Sequence, residues 1–141
     1  EAVDLPRMRE ADVIVTITSS PAASLTAGHV APGTHLSCMG TDTVGKQEVE
    51  PALVAGASVF TDEVAQSVTI GEAQHAVAAG LLDAGAITPL GQVLTGAHPG
   101  RRSGGQITLF DGTGVGLQDL AVAAVAVARA RERGLGIEVG V

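Results

Sequence analysis

Asp12-Val-Ile-Val-Thr-Ile-Thr18 is the stretch that decides the fold class. It is β-branched and almost continuously apolar, which predicts a strand buried on both faces, as in a parallel sheet. Ser19-Ser20-Pro21 ends it. Downstream, a weak helical stretch is expected over 22–30, followed by a turn at Pro32-Gly33 and a second strand over 34–39. A polar, glycine-containing loop runs from Gly40 to Lys46, and Pro51 opens a short helix to Ala55. A third strand is expected over 58–62. Thr69-Ile-Gly-Glu72 fits a capping box and predicts a helix through His75 to about Ala79. Thr88-Pro89 opens a further short helix that Gly96 ends, and Pro99 to Gly105 is a basic, glycine-rich loop. Ile107-Thr-Leu-Phe-Asp111 is the fourth strand, Gly112 to Gly116 a tight turn, and 117–133 the longest helix, closed by Gly134. Arginines 129, 131 and 133 crowd its last turns, where positive charge suits the helix dipole. Strands alternating with helices over short connections mean α/β with a mostly parallel sheet. No repeat and no domain linker interrupts the pattern.

The 141 residues suffice for one domain. With 45% hydrophobic and 16% charged residues and a mean hydropathy of +0.34, the chain is not of the disordered class. No apolar run is long enough for a transmembrane helix, and the chain does not open with a secretory or basic transit segment, so no membrane partner is expected. The net charge of −7, two Phe, and no Tyr or Trp argue against nucleic-acid binding. The single cysteine, Cys38, excludes an intramolecular disulfide and a multi-cysteine metal site, and a reducing, cytoplasmic setting is the simple reading. Ala, Val and Gly dominate, so the core is expected to use small side chains and to lean on a partner surface or on further sequence.

Several constellations can carry chemistry. Gly112-Thr113-Gly114-Val115-Gly116 lies between a predicted strand and helix, where backbone N–H groups can cradle a phosphate or simply turn the chain. The dinucleotide fingerprint fails there, because position 117 is Leu and no acid follows a strand at the right distance. Asp42 and Lys46 sit four apart in the loop after the second strand, at the carboxyl end of a parallel strand, where open α/β sheets form their ligand crevice. A carboxylate there can orient water or exchange a proton, and a lysine can hold a phosphate or carboxylate. A solvated surface pair is the alternative. Thr16, Thr18, Ser19 and Ser20 can bond a cofactor or merely turn the chain. His29, His35, His75 and His98 show no metal spacing, so no metal is expected, and His35 and His75 read as structural. Arg101-Arg102 is a solvated pair or faces an anion, and Cys38 is a small core residue without basic neighbours.

Taken together, these segments resemble the ornithine cyclodeaminase/mu-crystallin family. Residues 11–18 look like its "ADIIVTAT" strand and Pro32-Gly-Thr-His35 like its "PGTH". Residues 40–48 look like "GADxPGKxE" and 87–96 like the "LGEVLAG" segment. Pro99-Gly-Arg101 and 107–114 look like "PGR" and "ITLFDSTG", with Gln118-Asp119 completing the last motif. The resemblance covers nearly the whole chain. It implies the C-terminal half of an NAD(P)-dependent enzyme, a Rossmann-like fold lacking its N-terminal half. The long helix is expected to pack back toward a substrate-binding and dimerisation domain.

The same resemblance implies a homodimer acting at the C–N bond of a small amino or imino acid, with hydride passing between the nicotinamide C4 and the α-carbon. By position Asp42 matches the acid that activates water or handles protons, and Lys46 and Thr18 match cofactor contacts, with Ser19 beside them. Gly112 stands where the family often has a cofactor-contacting Ser, so that contact falls to the backbone of Gly112, Thr113 and Gly114. Val44 replaces a frequent proline. Amino-acid dehydrogenation or imine reduction is the favoured activity. Ornithine cyclodeamination with recycled cofactor is the alternative, and an inert fragment or a mu-crystallin-like binding protein is a further one. Gly40-Thr-Asp42, where cyclodeaminases tend to carry Gly-Gly-Asp, tilts the reading to the oxidoreductase.

Overall fold

The computed structural model describes residues 4–137 and 139. Five strands form one sheet: β1 (Val13–Thr16), β2 (His35–Cys38), β3 (Ser58–Thr61), β4 (Thr88–Pro89) and β5 (Thr108–Asp111). Their order is β1-β2-β5-β3-β4, and every pairing is parallel. The last strand in sequence is thus inserted at the centre, between β2 and β3. The helices are α1 (Pro51–Gly56), α2 (Val64–Ser67), α3 (Gln74–Ala78), α4 (Leu90–Leu94) and α5 (Gly116–Glu132). The α/β, Rossmann-like parallel architecture expected from the sequence is present.

The register places one apolar row across the sheet, Ile14–Leu36–Leu109–Val59, and all four are buried. Leu53, Val54, Ala73 and Ala76, from α1 and the start and body of α3, pack against this row with Leu25, Val30 and Val49. One step further along, the same face carries the row Thr16–Cys38–Asp111–Thr61 at the carboxyl ends. Successive residues of a strand alternate faces, so the opposite face presents Val13, Val15, His35, Ser58, Phe60, Thr108 and Phe110. A cavity of about 310 Å³ opens there, lined by His35, Phe60, Leu90, Val93, Arg101 and Phe110 among others.

Four local expectations are corrected. The first strand is shorter than 12–18 and is covered on one face only: Val13 and Val15 are 56% and 59% exposed, because β1 is an edge strand with nothing packed on that side among the described residues. The 22–30 stretch is not an α-helix. Leu25 bridges to Val49, and only a 3-10 turn follows at Ala27–His29. The capping box at 69–72 does not form, since Thr69 donates back to the Ala65 carbonyl and Glu72 turns inward. Thr88-Pro89 pairs with β3 before α4 begins. By contrast, Gly96 and Gly134 adopt φ of +78° and +62° just past α4 and α5, the left-handed conformation that closes helices. Among the described residues no helix is long and apolar enough to cross a membrane.

Leu109 stands on the central strand and is fully buried. Leu109→Ala is expected to lower the unfolding free energy by about 2–5 kcal/mol, as read by urea titration.

Candidate functional site at the carboxyl edge of the sheet

The parallel strands bring the singled-out residues to one edge. Thr18 and Ser19 follow β1, Asp42 and Lys46 follow β2, and Gly112, Thr113 and Gly114 follow β5. The last rung between β1 and β2 is the Met39 amide donating to the Thr16 carbonyl at 2.8 Å. Past it the strands part and their polar groups need other partners.

Those partners are carboxylates. Glu48 is buried, and its Oε1 accepts from the Thr18 amide at 2.6 Å. Its Oε2 accepts from the Thr16 hydroxyl at 2.8 Å and the Gly40 amide at 3.1 Å. Glu72 is also buried; it accepts from the Thr41 hydroxyl at 2.5 Å and from the amides of Glu48 and Val49 at 3.0 and 2.7 Å. The loop that carries Asp42 and Lys46 is therefore held near both ends by one side chain. Gln74 and His75 hold its middle: Gln74 Oε1 accepts from the Gly45 amide at 2.8 Å, and the His75 ring lies 3.0 Å from the Lys46 carbonyl. Burial pushes the Glu72 carboxyl above the usual range against these hydrogen bonds.

Asp62, after β3, closes the other side of the edge. It accepts from the Thr113 amide and hydroxyl at 3.0 and 2.7 Å and from the Gly114 amide at 3.0 Å. Burial works against its charge, but these bonds and the Glu63 amide outweigh it and hold the carboxyl below the usual range. The Gly112 amide donates to the Cys38 carbonyl at 2.9 Å. All three amides of the turn are thus occupied within the chain. Gly112 also has no room for a side chain, because a Cβ would lie 2.6 Å from the Met39 thioether.

Asp42 and Lys46 form an ion pair, Nζ to Oδ1 at 2.6 Å, with side chains 59% and 27% exposed. The hydrogen bond from Lys46, helped by one from Thr43, holds the Asp42 carboxyl below its ordinary range. The pair is accessible, and an accessible pair can exchange its partner for a ligand at little cost. Thr18 Oγ1 accepts from the Ser20 amide at 3.3 Å, and Ser19 is exposed.

The remaining candidates lie elsewhere. His35 Nδ1 meets the Thr108 hydroxyl at 2.8 Å on the open face, and burial and then Arg101 lower its pKa. Arg101 is tied to the Thr108 hydroxyl at 2.9 Å and to the Gln106 carbonyl, so it braces its own loop. Cys38 is buried, and burial pushes its thiol up, away from reactivity. Among the described residues no group of three His, Cys, Asp or Glu is placed to hold a metal.

Sequence reasoning missed Glu48, Glu72, Asp62 and Asp111. Asp111 had a usable signal: in Ile107-Thr-Leu-Phe-Asp111 it shares the inward parity of Leu109. Its Oδ2 accepts from the Ser67 hydroxyl at 2.5 Å and the Ala73 amide at 3.3 Å, while Oδ1 is buried without a partner.

A parallel sheet whose carboxyl edge gathers hydroxyls, a carboxylate–lysine pair and a glycine turn has its polar groups where open α/β sheets form their ligand crevice. The chain belongs to the ornithine cyclodeaminase/mu-crystallin family, whose model matches residues 6–134. It is 57% identical over 140 residues to the iminosuccinate reductase of Paracoccus denitrificans (strain Pd 1222), covering 99% of this chain and 43% of that protein. The crystal structure of that reductase in complex with NAD+ superposes with a TM-score of 0.95, over 100% of this chain and 44% of the other. An archaeal alanine dehydrogenase dimer with bound NAD is 35% identical with a TM-score of 0.86, over 92% of this chain and 41% of its own. The ornithine cyclodeaminase of Agrobacterium tumefaciens (strain Ach5) is 34% identical over 113 residues, 79% of this chain and 30% of that protein. The chain spans less than half the length of these relatives.

Burial raises the Asp111 carboxyl above its ordinary range, although the Ser67 hydroxyl and two amides oppose the rise. The folded state then binds this proton more tightly than the unfolded chain, whose value is about 3.9. The contribution to stability is full below that value and is lost as pH rises toward the folded value. Asp111→Asn removes the loss. The melting temperature of the variant relative to wild type is expected to climb as pH is raised from about 4 toward neutrality. Parallel melting curves across that range would show that Asp111 titrates normally.

Proposed function

We propose that the intact protein is an NAD(P)-dependent oxidoreductase acting at the C–N bond of a small amino or imino acid, of the amino-acid dehydrogenase or imine reductase type. The observation that carries the reading is the accessible Asp42–Lys46 pair, set at the carboxyl edge of a chain that follows an NAD-bound reductase along its full length.

The residues present fit part of a dinucleotide. Ser19 and Thr18 offer hydroxyls and Lys46 an ammonium on an open edge, a donor set suited to phosphate, ribose or carboxamide. The Gly112–Gly114 turn would meet the cofactor through its carbonyls and Cα hydrogens, because Asp62 and Cys38 take its amides. The glycine-rich pyrophosphate fingerprint is not among these residues. A bound nicotinamide supplies the hydride chemistry at the substrate carbon.

Asp42 orients water or exchanges the proton at the substrate nitrogen, while the hydride passes at the carbon. With Lys46 on it, the carboxyl stays ionised and accepts hydrogen bonds. When Lys46 turns to a ligand, Asp42 loses the contact that most depresses its pKa and becomes a better proton carrier.

In this reading α5 packs against a substrate-binding and dimerisation domain. None of its residues is buried, and Leu117, Leu120, Val122 and Val125 are all exposed. The dimeric alanine dehydrogenase supports a homodimer, and the lone buried thiol suits a cytoplasmic setting. Ornithine cyclodeamination is a second reading, favoured by the identity to the Agrobacterium enzyme. Absorbance separates the two: the oxidoreductase changes net NAD(P)H, whereas a cyclodeaminase releases ammonia without doing so.

Asp42→Asn in the full-length protein is expected to lower turnover by about 10²-fold or more, the usual worth of a positioned acid or base. The assay is NAD(P)H turnover with alanine, ornithine and cyclic imines. Turnover within a few-fold of wild type would remove Asp42 from the chemistry.

A further inference from the structure

We propose that Glu48 is a positioning residue that sets the distance between the cofactor side of the site, at Thr18, and the acid-bearing turn at Gly40–Asp42. The proposal rests on the reading that Thr18 and Asp42 border the reacting partners.

The argument begins at the fork between β1 and β2. Beyond the Met39–Thr16 rung, the amides of Thr18 and Gly40 point into the gap with no ladder partner. Glu48 fills that gap and gives one oxygen to each amide, at 2.6 and 3.1 Å. A carboxylate this buried is costly unless its oxygens are met by donors, and here each is met. An amide side chain could not replace it. Its nitrogen would face the Thr18 amide in one orientation and the Gly40 amide in the other, donor against donor.

The backbone is fitted to the same spacing. A Cβ on Gly40 would lie 2.3 Å from the Thr18 carbonyl oxygen, 2.5 Å from its nitrogen and 2.7 Å from Glu48 Oε2. Glu48 is itself seated from below, since its own amide donates to Glu72 at 3.0 Å. The fork is therefore tight on three sides, and it opens toward the edge where Thr18, Asp42 and Lys46 emerge.

The test uses the full-length enzyme and measures kcat, the KM for NAD(P)H and the folded fraction. A variant that only folds less well loses kcat in proportion to its folded fraction and keeps its KM. Glu48→Gln should instead raise the KM for NAD(P)H by about tenfold, roughly the loss of one bond to a charged acceptor, and lower kcat per folded molecule as well. Gly40→Ala, which keeps the carboxylate but forces the fork apart, should reproduce both changes. Should Glu48→Gln not fold, Gly40→Ala and the milder Thr16→Val are read by the same two criteria. A KM within twofold of wild type, with kcat falling only as the folded fraction falls, overturns the proposal. Asp42→Asn, run alongside, separates this from the underlying assignment. If Asp42→Asn abolishes turnover and the Glu48 and Gly40 variants leave KM unchanged, positioning fails and the functional reading stands. If Asp42→Asn is active, the role of Asp42 fails, while the KM effect at Thr18 is judged on its own.

Discussion

Glu72 accepts hydrogen bonds from Thr41, Glu48 and Val49, and the placement of the loop carrying Asp42 and Lys46 depends on that contact. A parallel sheet satisfies its backbone only as far as its last rung. Beyond it each loop presents N–H groups that must be bonded or solvated. In this chain the loops are bonded to carboxylates from other segments. Glu72 holds the loop after β2, Glu48 ties that loop to the end of β1, and Asp62 holds the turn after β5. Asp111 in turn holds Ser67 and Ala73, on either side of the bend that delivers Glu72. Asp111, Glu72 and Glu48 are thus linked in series, and displacing one shifts the support of the next. Their cost is visible in the raised pKa values of Glu72 and Asp111, where burial outweighs the donors.

The local pattern of the chain reveals the strands and helices because each rests on contacts close in sequence or on periodicity. Ser58–Thr61, Thr108–Asp111 and α5 lie where alternation, glycine and the arginine-rich end place them. The gathering of Thr18, Asp42, Lys46 and the 112–114 turn at one edge follows from parallel topology alone. The insertion of β5 between β2 and β3 does not, since no short-range signal encodes strand order. Nor do the carboxylate contacts. Glu72 is separated from its partners at 41, 48 and 49 by more than twenty residues. Its spacing from Thr69 imitates a helix cap, and the tertiary bonds win over that local alternative because they satisfy three donors rather than one.

The small-residue core has a related consequence. Only one face of the sheet is covered by α1 and α3, and the packing there uses Ala73, Ala76, Val49 and Val54 around Leu36 and Leu109. Val13 and Val15 on β1 and Ile17 just past it remain exposed, as do the apolar residues of α5. Large apolar patches on a soluble protein mark contact sites, and apolar side chains are exposed on both elements here. Their position on the edge strand and the terminal helix accords with a chain that spans under half the length of its relatives.

Charge at the edge is divided between two kinds of group. The buried Glu48 and Glu72 are committed: both oxygens of each are bonded to amides and hydroxyls, so exchanging them for ligand would leave donors unpaired. Asp42 and Lys46 are the opposite case. Asp42 is exposed and Lys46 half-buried, and besides each other their side chains meet the Thr43 hydroxyl and, at 3.5 Å, the Gly40 carbonyl. Lys46 is the only lysine in the chain, and Glu72, Gln74 and His75 hold the loop that carries it through backbone groups, while the ammonium adds a single long contact to the Gly40 carbonyl. The frame can therefore stay fixed while the pair opens. A rigid backbone with an exchangeable ion pair at its tip lets one carboxylate change protonation state without disturbing the loop that aims it. That separation of a committed frame from an exchangeable tip is what the proton-handling role proposed for Asp42 requires.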